Sequence, residues 1–194
     1  MKFRFFLNSF LLLSSFYLFG NNQNNSLVGE VAPSWVLKSN SGKMEFLNDY
    51  SSLKGKSVRK SGGKKEKHIV VLSFFATWCG PCIKEIKELQ ILKEEYADKP
   101  VAFFLIDLTD YYRNKNPKSY KNSPETLIFL NKKGLNKIPI LFDDRGILAK
   151  DYKAEDVLPR LFVIDKNQIV RLDEKNICSS CIREDLSKII DELL

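Results

Sequence analysis

The sequence predicts an α/β fold in which a central mixed β-sheet is flanked by helices and preceded by an N-terminal extension. Two unbroken runs of apolar, β-prone residues, 68–76 and 101–108, are typical of strands buried on both faces. The apolar period between these runs becomes helical. A predicted strand pair and an amphipathic helix then close the chain, so we expect strand directions to be mixed.

The start of the chain predicts the compartment. Lys2 and Arg4 precede a mostly apolar run at residues 5–19. A basic start followed by about 7–15 apolar residues is the pattern of a secretory signal. A membrane-spanning helix needs about 20 residues, so the run is short for a permanent anchor. Leu18, however, is a poor match to the small residue expected before cleavage at Gly20, so a retained membrane tether stays an alternative.

The predicted boundaries follow from this pattern. Residues 1–20 are a signal peptide or N-terminal membrane anchor, 21–26 a polar spacer, and 27–194 one domain in the periplasm or otherwise outside the cytoplasm. The formal net charge of +7 suits a basic soluble protein. No basic helix with interleaved aromatic residues is present in the sequence, which argues against nucleic-acid binding. The sequence predicts no cofactor.

Shorter patterns supply the remaining elements. Ile83, Ile86 and Leu89 lie three apart and predict a helix over 81–96. Ser123 and Pro124 are typical of a helix opening, as a cap followed by a proline just inside. The other predictions are strands at 34–38, 44–47, 138–142, 160–165 and 168–172, and helices at 123–133, 146–152 and 181–194.

The chemistry is predicted where the first buried strand meets the first helix, at Cys79-Gly80-Pro81-Cys82. Unpaired N–H groups and the positive end of a helix dipole stabilise a thiolate at that position. We therefore expect Cys79 to be the nucleophile. Cys82, one turn further on, can resolve a mixed disulfide by attacking the sulfur of Cys79. Trp78 is expected to shield the sulfurs on one side.

A zinc site is the metal alternative for a Cys-x-x-Cys pair. It would combine Cys79 and Cys82 with the second pair, Cys178 and Cys181. Zinc ribbons separate their pairs by about 15–20 residues. Here residues 83–177 lie between the pairs, so the spacing favours redox chemistry and predicts no metal.

At this point the sequence resembles a known family. Residues 75–82, Phe-Ala-Thr-Trp-Cys-Gly-Pro-Cys, followed by Glu85, resemble the thioredoxin superfamily and its exported TlpA/ResA-like branch. Residues 29–33 resemble the opening of that branch, and Pro159 with residues 161–165 resembles its cis-proline strand. The resemblance implies a thioredoxin-like fold. It also implies a cis Pro159 that faces the sulfurs and pairs with an extended substrate segment.

The resemblance further implies thiol–disulfide exchange with exported protein substrates that carry thiols or disulfides. In this branch the usual role is reduction, as in cytochrome c maturation, with electrons from a membrane donor. A disulfide oxidant or isomerase is the alternative enzyme. A redox-inert binding module is a further alternative, but it has no need for Trp78, Cys79, Cys82 and Pro159 together. A peroxidase would need a proline–threonine–cysteine loop that the sequence lacks.

Three positions depart from cytosolic thioredoxins or from the family pattern. Ser73 stands where cytosolic thioredoxins carry a buried aspartate. Glu85 matches a glutamate that the ResA-like branch uses near its cysteines, which implies a proton-handling role. The alternative is an exposed helix carboxylate paired with neighbouring lysines. Leu158 precedes the proline where the family often has a small or β-branched residue.

The second pair, Cys178 and Cys181, lies between the last predicted strand and the last helix. One hypothesis is a relay that passes electrons to or from Cys79 and Cys82. The other is a local disulfide that fixes the final helix. Closing so short a loop contributes little entropy, which weakens the local disulfide without excluding it. The sequence leaves both hypotheses open.

Overall fold

The computed structural model describes residues 26–59, 66–175 and 181–194. In these ranges the core is one seven-stranded sheet. The strands are β1 (Val36–Ser39), β2 (Met44–Phe46), β3 (Ile69–Phe75), β4 (Val101–Asp107), β5 (Ile140–Phe142), β6 (Arg160–Ile164) and β7 (Val170–Lys175). The helices are α1 (Gly80–Glu95), α2 (Thr109–Lys115), α3 (Pro117–Tyr120), α4 (Thr126–Lys132), α5 (Ile147–Asp151) and α6 (Ile182–Leu193).

The strand order across the sheet is β2-β1-β5-β4-β3-β6-β7. The three central strands β5, β4 and β3 are parallel, and their carboxyl ends therefore share one edge. The outer pairs β3–β6, β6–β7, β5–β1 and β1–β2 are antiparallel. The predicted mixed sheet flanked by helices is confirmed.

Strand alternation divides the core into two layers. On β3, Val71 and Phe75 point to one face of the sheet, and Leu72 and Phe74 to the other. The first face, which we call the dithiol face, is covered by α1, α4 and α6 and includes both Cys79 and Cys82. The opposite face is covered by α2, α5 and the segment that precedes β1.

That preceding segment runs along the outer edge of β7. The amide of Ala32 donates to the carbonyl of Gln168 at 2.7 Å, and the amide of Gly29 to the carbonyl of Val170 at 2.9 Å. Val31 forms an antiparallel bridge with Ile169. The edge of β7 is therefore partly paired, which limits the unpaired backbone that an edge strand exposes.

The elements next to the predicted chemistry were predicted closely. The bounds of β3, α1 and β4 each lie within one residue of the prediction. The start predicted for α4 was wrong, because Glu125 is still extended and α4 begins at Thr126. The sequence did not predict α2 or α3.

Of the helices in the described ranges, none is long and apolar enough to cross a membrane. Residues 5–19, the predicted signal or anchor, lie outside those ranges.

Candidate active site

The dithiol lies where β3 leads into α1. Cys79 and Cys82 are joined by a disulfide with Cα atoms 5.3 Å apart. Cys79 is the N-cap of α1, and its Sγ accepts a hydrogen bond from the amide of Cys82 at 3.2 Å. Pro81 lies in the first turn, where its missing N–H leaves no helical bond unmade. Cys79 is 4% exposed and Cys82 is fully buried, so Cys79 is the more accessible of the two residues.

Pro159 lies beside the end of β3. The Leu158–Pro159 peptide bond is cis, as the family resemblance implies. Arg160 is paired with Phe74 across the antiparallel β3–β6 ladder. Pro159, one residue before Arg160, therefore lies next to this pair on the side where β3 ends and the loop to Cys79 begins. Leu158 packs against the cluster that contains both cysteines. The large side chain at this position is therefore part of the packing on the dithiol face.

Glu85 lies on the buried face of α1, one turn beyond Cys82. It is 2% exposed, and the hydroxyl of Ser73 donates to its Oε1 at 2.6 Å. Burial raises the pKa of Glu85 to about 7, and the Ser73 hydrogen bond partly opposes that rise. The alternative of an exposed carboxylate is wrong. The sequence carried a signal for this burial, because Glu85 lies between the buried positions Cys82 and Ile86 of the helical repeat.

Trp78 belongs to an aromatic cluster that the sequence did not predict. Tyr120 stacks on its ring at a centroid distance of 4.7 Å, and Tyr112 meets it edge-on at 5.2 Å. The Tyr112 hydroxyl donates to the carbonyl of Glu155 at 2.6 Å, which links α2 to the loop before Pro159. Trp78 remains 38% exposed. The cluster thus holds the indole in place while part of it faces solvent beside Cys79.

The second cysteine pair is described only in part. Cys178 lies outside the described residues, and Cys181 is the N-cap residue of α6. The next residue, Ile182, packs in the same cluster as Cys79 and Cys82. The relay and the local disulfide both stay predictions. Within the described ranges, no group of three or more His, Cys, Asp or Glu side chains could hold a metal ion.

These features define a class of protein. A mixed sheet carries a redox-capable disulfide at the start of a helix. A cis-proline precedes the neighbouring strand β6, and a buried carboxyl lies one turn further along the helix. This is the arrangement of a thioredoxin-fold dithiol protein. Comparison with protein families agrees with this class. The chain belongs to the AhpC/TSA family, whose model matches residues 28–172.

Individual relatives make the class of protein more specific. The chain is 31% identical over 143 residues to the thioredoxin-like protein YneN of Bacillus subtilis, covering 74% of this chain and 68% of that protein. It is also 31% identical over 140 residues to the thiol-disulfide oxidoreductase ResA of Bacillus thuringiensis, covering 72% of this chain and 65% of ResA. The matches therefore span about two thirds of the length of these relatives.

Solved structures support the fold. A putative thiol:disulfide interchange protein DsbE from Chlorobium tepidum matches with a TM-score of 0.63 at 22% identity, covering 86% of this chain and 96% of that one. StoA from Bacillus subtilis matches with a TM-score of 0.55 at 17% identity, covering 79% and 96%. The predicted thioredoxin-like fold is confirmed. With the Cys79–Cys82 disulfide and the named relatives, the predicted class of thiol–disulfide oxidoreductase is confirmed as well.

Proposed function

We propose that this protein reduces disulfides of exported proteins through Cys79 and Cys82. The observation that carries the proposal is the disulfide at the N-terminus of α1, with the Sγ of Cys79 accepting the amide of Cys82. After reduction of the pair, that amide and the positive end of the helix would stabilise a thiolate at Cys79. Cys79 is then the attacking group, and the fully buried Cys82 is the resolving one.

The exchange balances in two steps. The Cys79 thiolate attacks a substrate disulfide, forming a mixed disulfide and releasing one substrate thiolate. Cys82 loses its proton and attacks the sulfur of Cys79, which re-forms the Cys79–Cys82 disulfide and releases the second substrate thiolate. The substrate gains two electrons and the protein loses two. A donor dithiol must then return two electrons to the pair.

We propose that Glu85 accepts the proton of Cys82 in the second step. The two residues are three apart on α1, so their side chains lie on the same face of the helix. Both are buried on the dithiol face of the sheet. A carboxyl with a pKa of about 7 is close to half ionised at neutral pH, and it can therefore both accept and release a proton there.

The role as reductant is tested by turnover and by potential. We expect the reduced protein to catalyse insulin reduction by dithiothreitol, and Cys79→Ser to abolish it. Cys82→Ser is the matched variant, which should trap mixed disulfides instead. A Cys79–Cys82 potential near about −270 mV supports a reductant, whereas one near about −120 mV would favour the alternative oxidant. Equal turnover in the wild type and Cys79→Ser would exclude the oxidoreductase and favour the redox-inert binding module.

We propose that the protein acts outside the cytoplasm and takes its electrons from a membrane donor, in reactions such as cytochrome c maturation. The basic start and apolar run at residues 5–19 support export, with cleavage or with retention as a membrane tether. The resemblance of residues 75–82 and Glu85 to the TlpA/ResA-like branch supports a reducing role. Fractionation of cells that express the full chain tests this proposal, and recovery in the cytoplasm would contradict it.

A second proposal concerns Cys178 and Cys181 as the relay between donor and dithiol. It is supported by the course of α6, which begins next to the cluster of Cys79 and Cys82. In a Cys79→Ser/Cys82→Ser variant, we expect this second pair to be reduced at potentials that cellular donors reach. A pair that stays oxidised well below those potentials would exclude the relay, and the local disulfide would be the remaining hypothesis.

A further inference from the structure

Asp107, the last residue of β4, is a buried carboxyl that the proposed exchange does not use. It is 5% exposed and lies opposite Phe75, the last residue of β3. Within the described ranges, no ion pair includes Asp107. Its Oδ1 instead accepts the amide of Thr109 at 2.9 Å and the hydroxyl of Thr109 at 2.6 Å. Burying a carboxyl without a cation is costly, so its hydrogen bonds must be its compensation.

The hydroxyl of Thr109 connects this carboxyl to the loop that carries the dithiol. A hydroxyl has one proton to donate and two lone pairs that accept. Thr109 gives its proton to Asp107, and its oxygen accepts the amide of Thr77 at 3.0 Å and the hydroxyl of Thr126 at 3.3 Å. Asp107 thus sets the direction of the Thr109 hydroxyl, which leaves the lone pairs free for Thr77.

Thr77 is held from two sides. Besides the bond from its amide to Thr109, its own hydroxyl donates to the carbonyl of Pro124 at 3.0 Å. Hydrogen bonds continue from this point to the nucleophile. The carbonyl of Ala76 accepts the amide of Cys79 at 3.0 Å, and the carbonyl of Cys79 accepts the amide of Ile83 at 3.3 Å. Fixing Thr77 therefore restrains Cys79, two residues further along the chain.

We propose that Asp107, acting through Thr109, is a positioning residue that holds Cys79 at the N-terminus of α1. The proposal rests on the proposed function, in which Cys79 is the attacking sulfur. The simpler role for Asp107 is to cap α2, because it also accepts the amide of Thr109 in the first turn of that helix. The two roles depend on different groups of Thr109. Capping needs only the amide of Thr109, whereas positioning needs its hydroxyl.

Thr109→Val and Thr109→Ser separate the two roles. Valine keeps the volume and the amide but removes the hydroxyl, and serine keeps the hydroxyl. We measure alkylation of Cys79 in the reduced full chain by iodoacetamide, with mass spectrometry to assign the cysteine, and the equilibrium with glutathione. Valine should slow alkylation about tenfold, the effect expected for one lost buried hydrogen bond, and shift the glutathione equilibrium, whereas serine should stay within about twofold of wild type.

Urea unfolding of the same variants provides the structural readout. A lower unfolding midpoint for Thr109→Val with unchanged alkylation and glutathione equilibrium would overturn the positioning role and leave only the cap. Should Thr109→Val fail to fold, Asp107→Asn replaces it. Asparagine retains an acceptor oxygen but loses the charge, so it should slow alkylation by about threefold, and alkylation at the wild-type rate would overturn the positioning role. Alkylation needs no protein substrate. Absence of insulin turnover in the wild type would therefore count against the proposed function alone.

Discussion

Two buried charged sites lie near the same end of the β3–β6 pair, on opposite faces of the sheet. On the dithiol face, Glu85 has the Ser73 hydroxyl as its hydrogen-bond partner, and no described ion pair includes it. On the opposite face, Arg160 forms an ion pair with Asp173, and their side chains are 1% and 0% exposed. Arg160 directly follows Pro159, so the paired and the unpaired site are both close to the dithiol.

The difference between the sites is the countercharge. The Asp173 carboxylate is compensated by Arg160 and by the amide of Leu27, which donates to its Oδ2 at 2.7 Å. Arg160 also lies 5.4 Å from the ring centre of Phe162. This ion pair joins β6 to β7 inside the core. Glu85 has no such compensation, so burial raises its pKa into the range where it gains and loses a proton near neutral pH.

The largest expected effect comes from breaking the compensated pair. Arg160→Met or Asp173→Asn leaves one buried charge alone, and each should lower the free energy of unfolding by about 3–5 kcal/mol. Urea unfolding at pH 7 measures it. The double variant Arg160→Met/Asp173→Leu is the matched control, and it should be more stable than either single change, because no lone charge remains. If the free energy of unfolding of each single variant were within about 1 kcal/mol of wild type, Arg160 and Asp173 would not compensate each other's charge.

A smaller effect is expected at the uncompensated site. Because the pKa of Glu85 is raised by folding from 4.5 to about 7, its contribution to stability is complete below pH 4.5 and is lost as the pH rises through 7. The loss is on the order of 3 kcal/mol, from the size of the shift. Glu85→Gln should remove this part of the pH dependence. Unfolding measured from pH 4 to 8 tests it, and parallel wild-type and Glu85→Gln curves would refute it.

Ser73→Ala refines the same measurement. The Ser73 hydroxyl lowers the pKa of Glu85, so its removal should move the inflection of the stability curve upward by about one pH unit. The change in stability should be clearest above pH 7, where the hydroxyl stabilises the ionised carboxylate. An inflection that moves downward would show that Ser73 favours the protonated form instead.

The sequence predicted the elements that obey local rules. The strands β3 and β4 and the helix α1 carry strong apolar periods, so their bounds were close. The dithiol followed from its position between a strand and a helix. The cis peptide bond at Pro159 was implied by resemblance, since cis is a minority state for any X–Pro bond in an isolated chain.

The remaining features depend on contacts between distant residues. The helix α4 begins two residues beyond Pro124, whose carbonyl accepts the hydroxyl of Thr77, 47 positions away. The short helices α2 and α3 have polar, tyrosine-rich sequences without a strong apolar period, and α3 opens with Pro117. Arg160 looks like a charged strand end in the sequence. Its burial is explained by the ion pair with Asp173, and no local sequence pattern predicts that Asp173 is its partner.

The position of Leu27 has a practical consequence for experiments. Leu27 lies against Asp173, and the segment from Leu27 to Ala32 runs antiparallel to β7, so the chain enters the fold near the dithiol end. Leu194 lies at the other end, where its carbonyl accepts the Lys166 side chain at 2.7 Å. A bulky fusion joined ahead of Leu27 would therefore attach at the outer edge of β7, beside the face of the sheet opposite Cys79. A fluorophore or affinity tag joined after Leu194 would attach at the end of the sheet away from the dithiol.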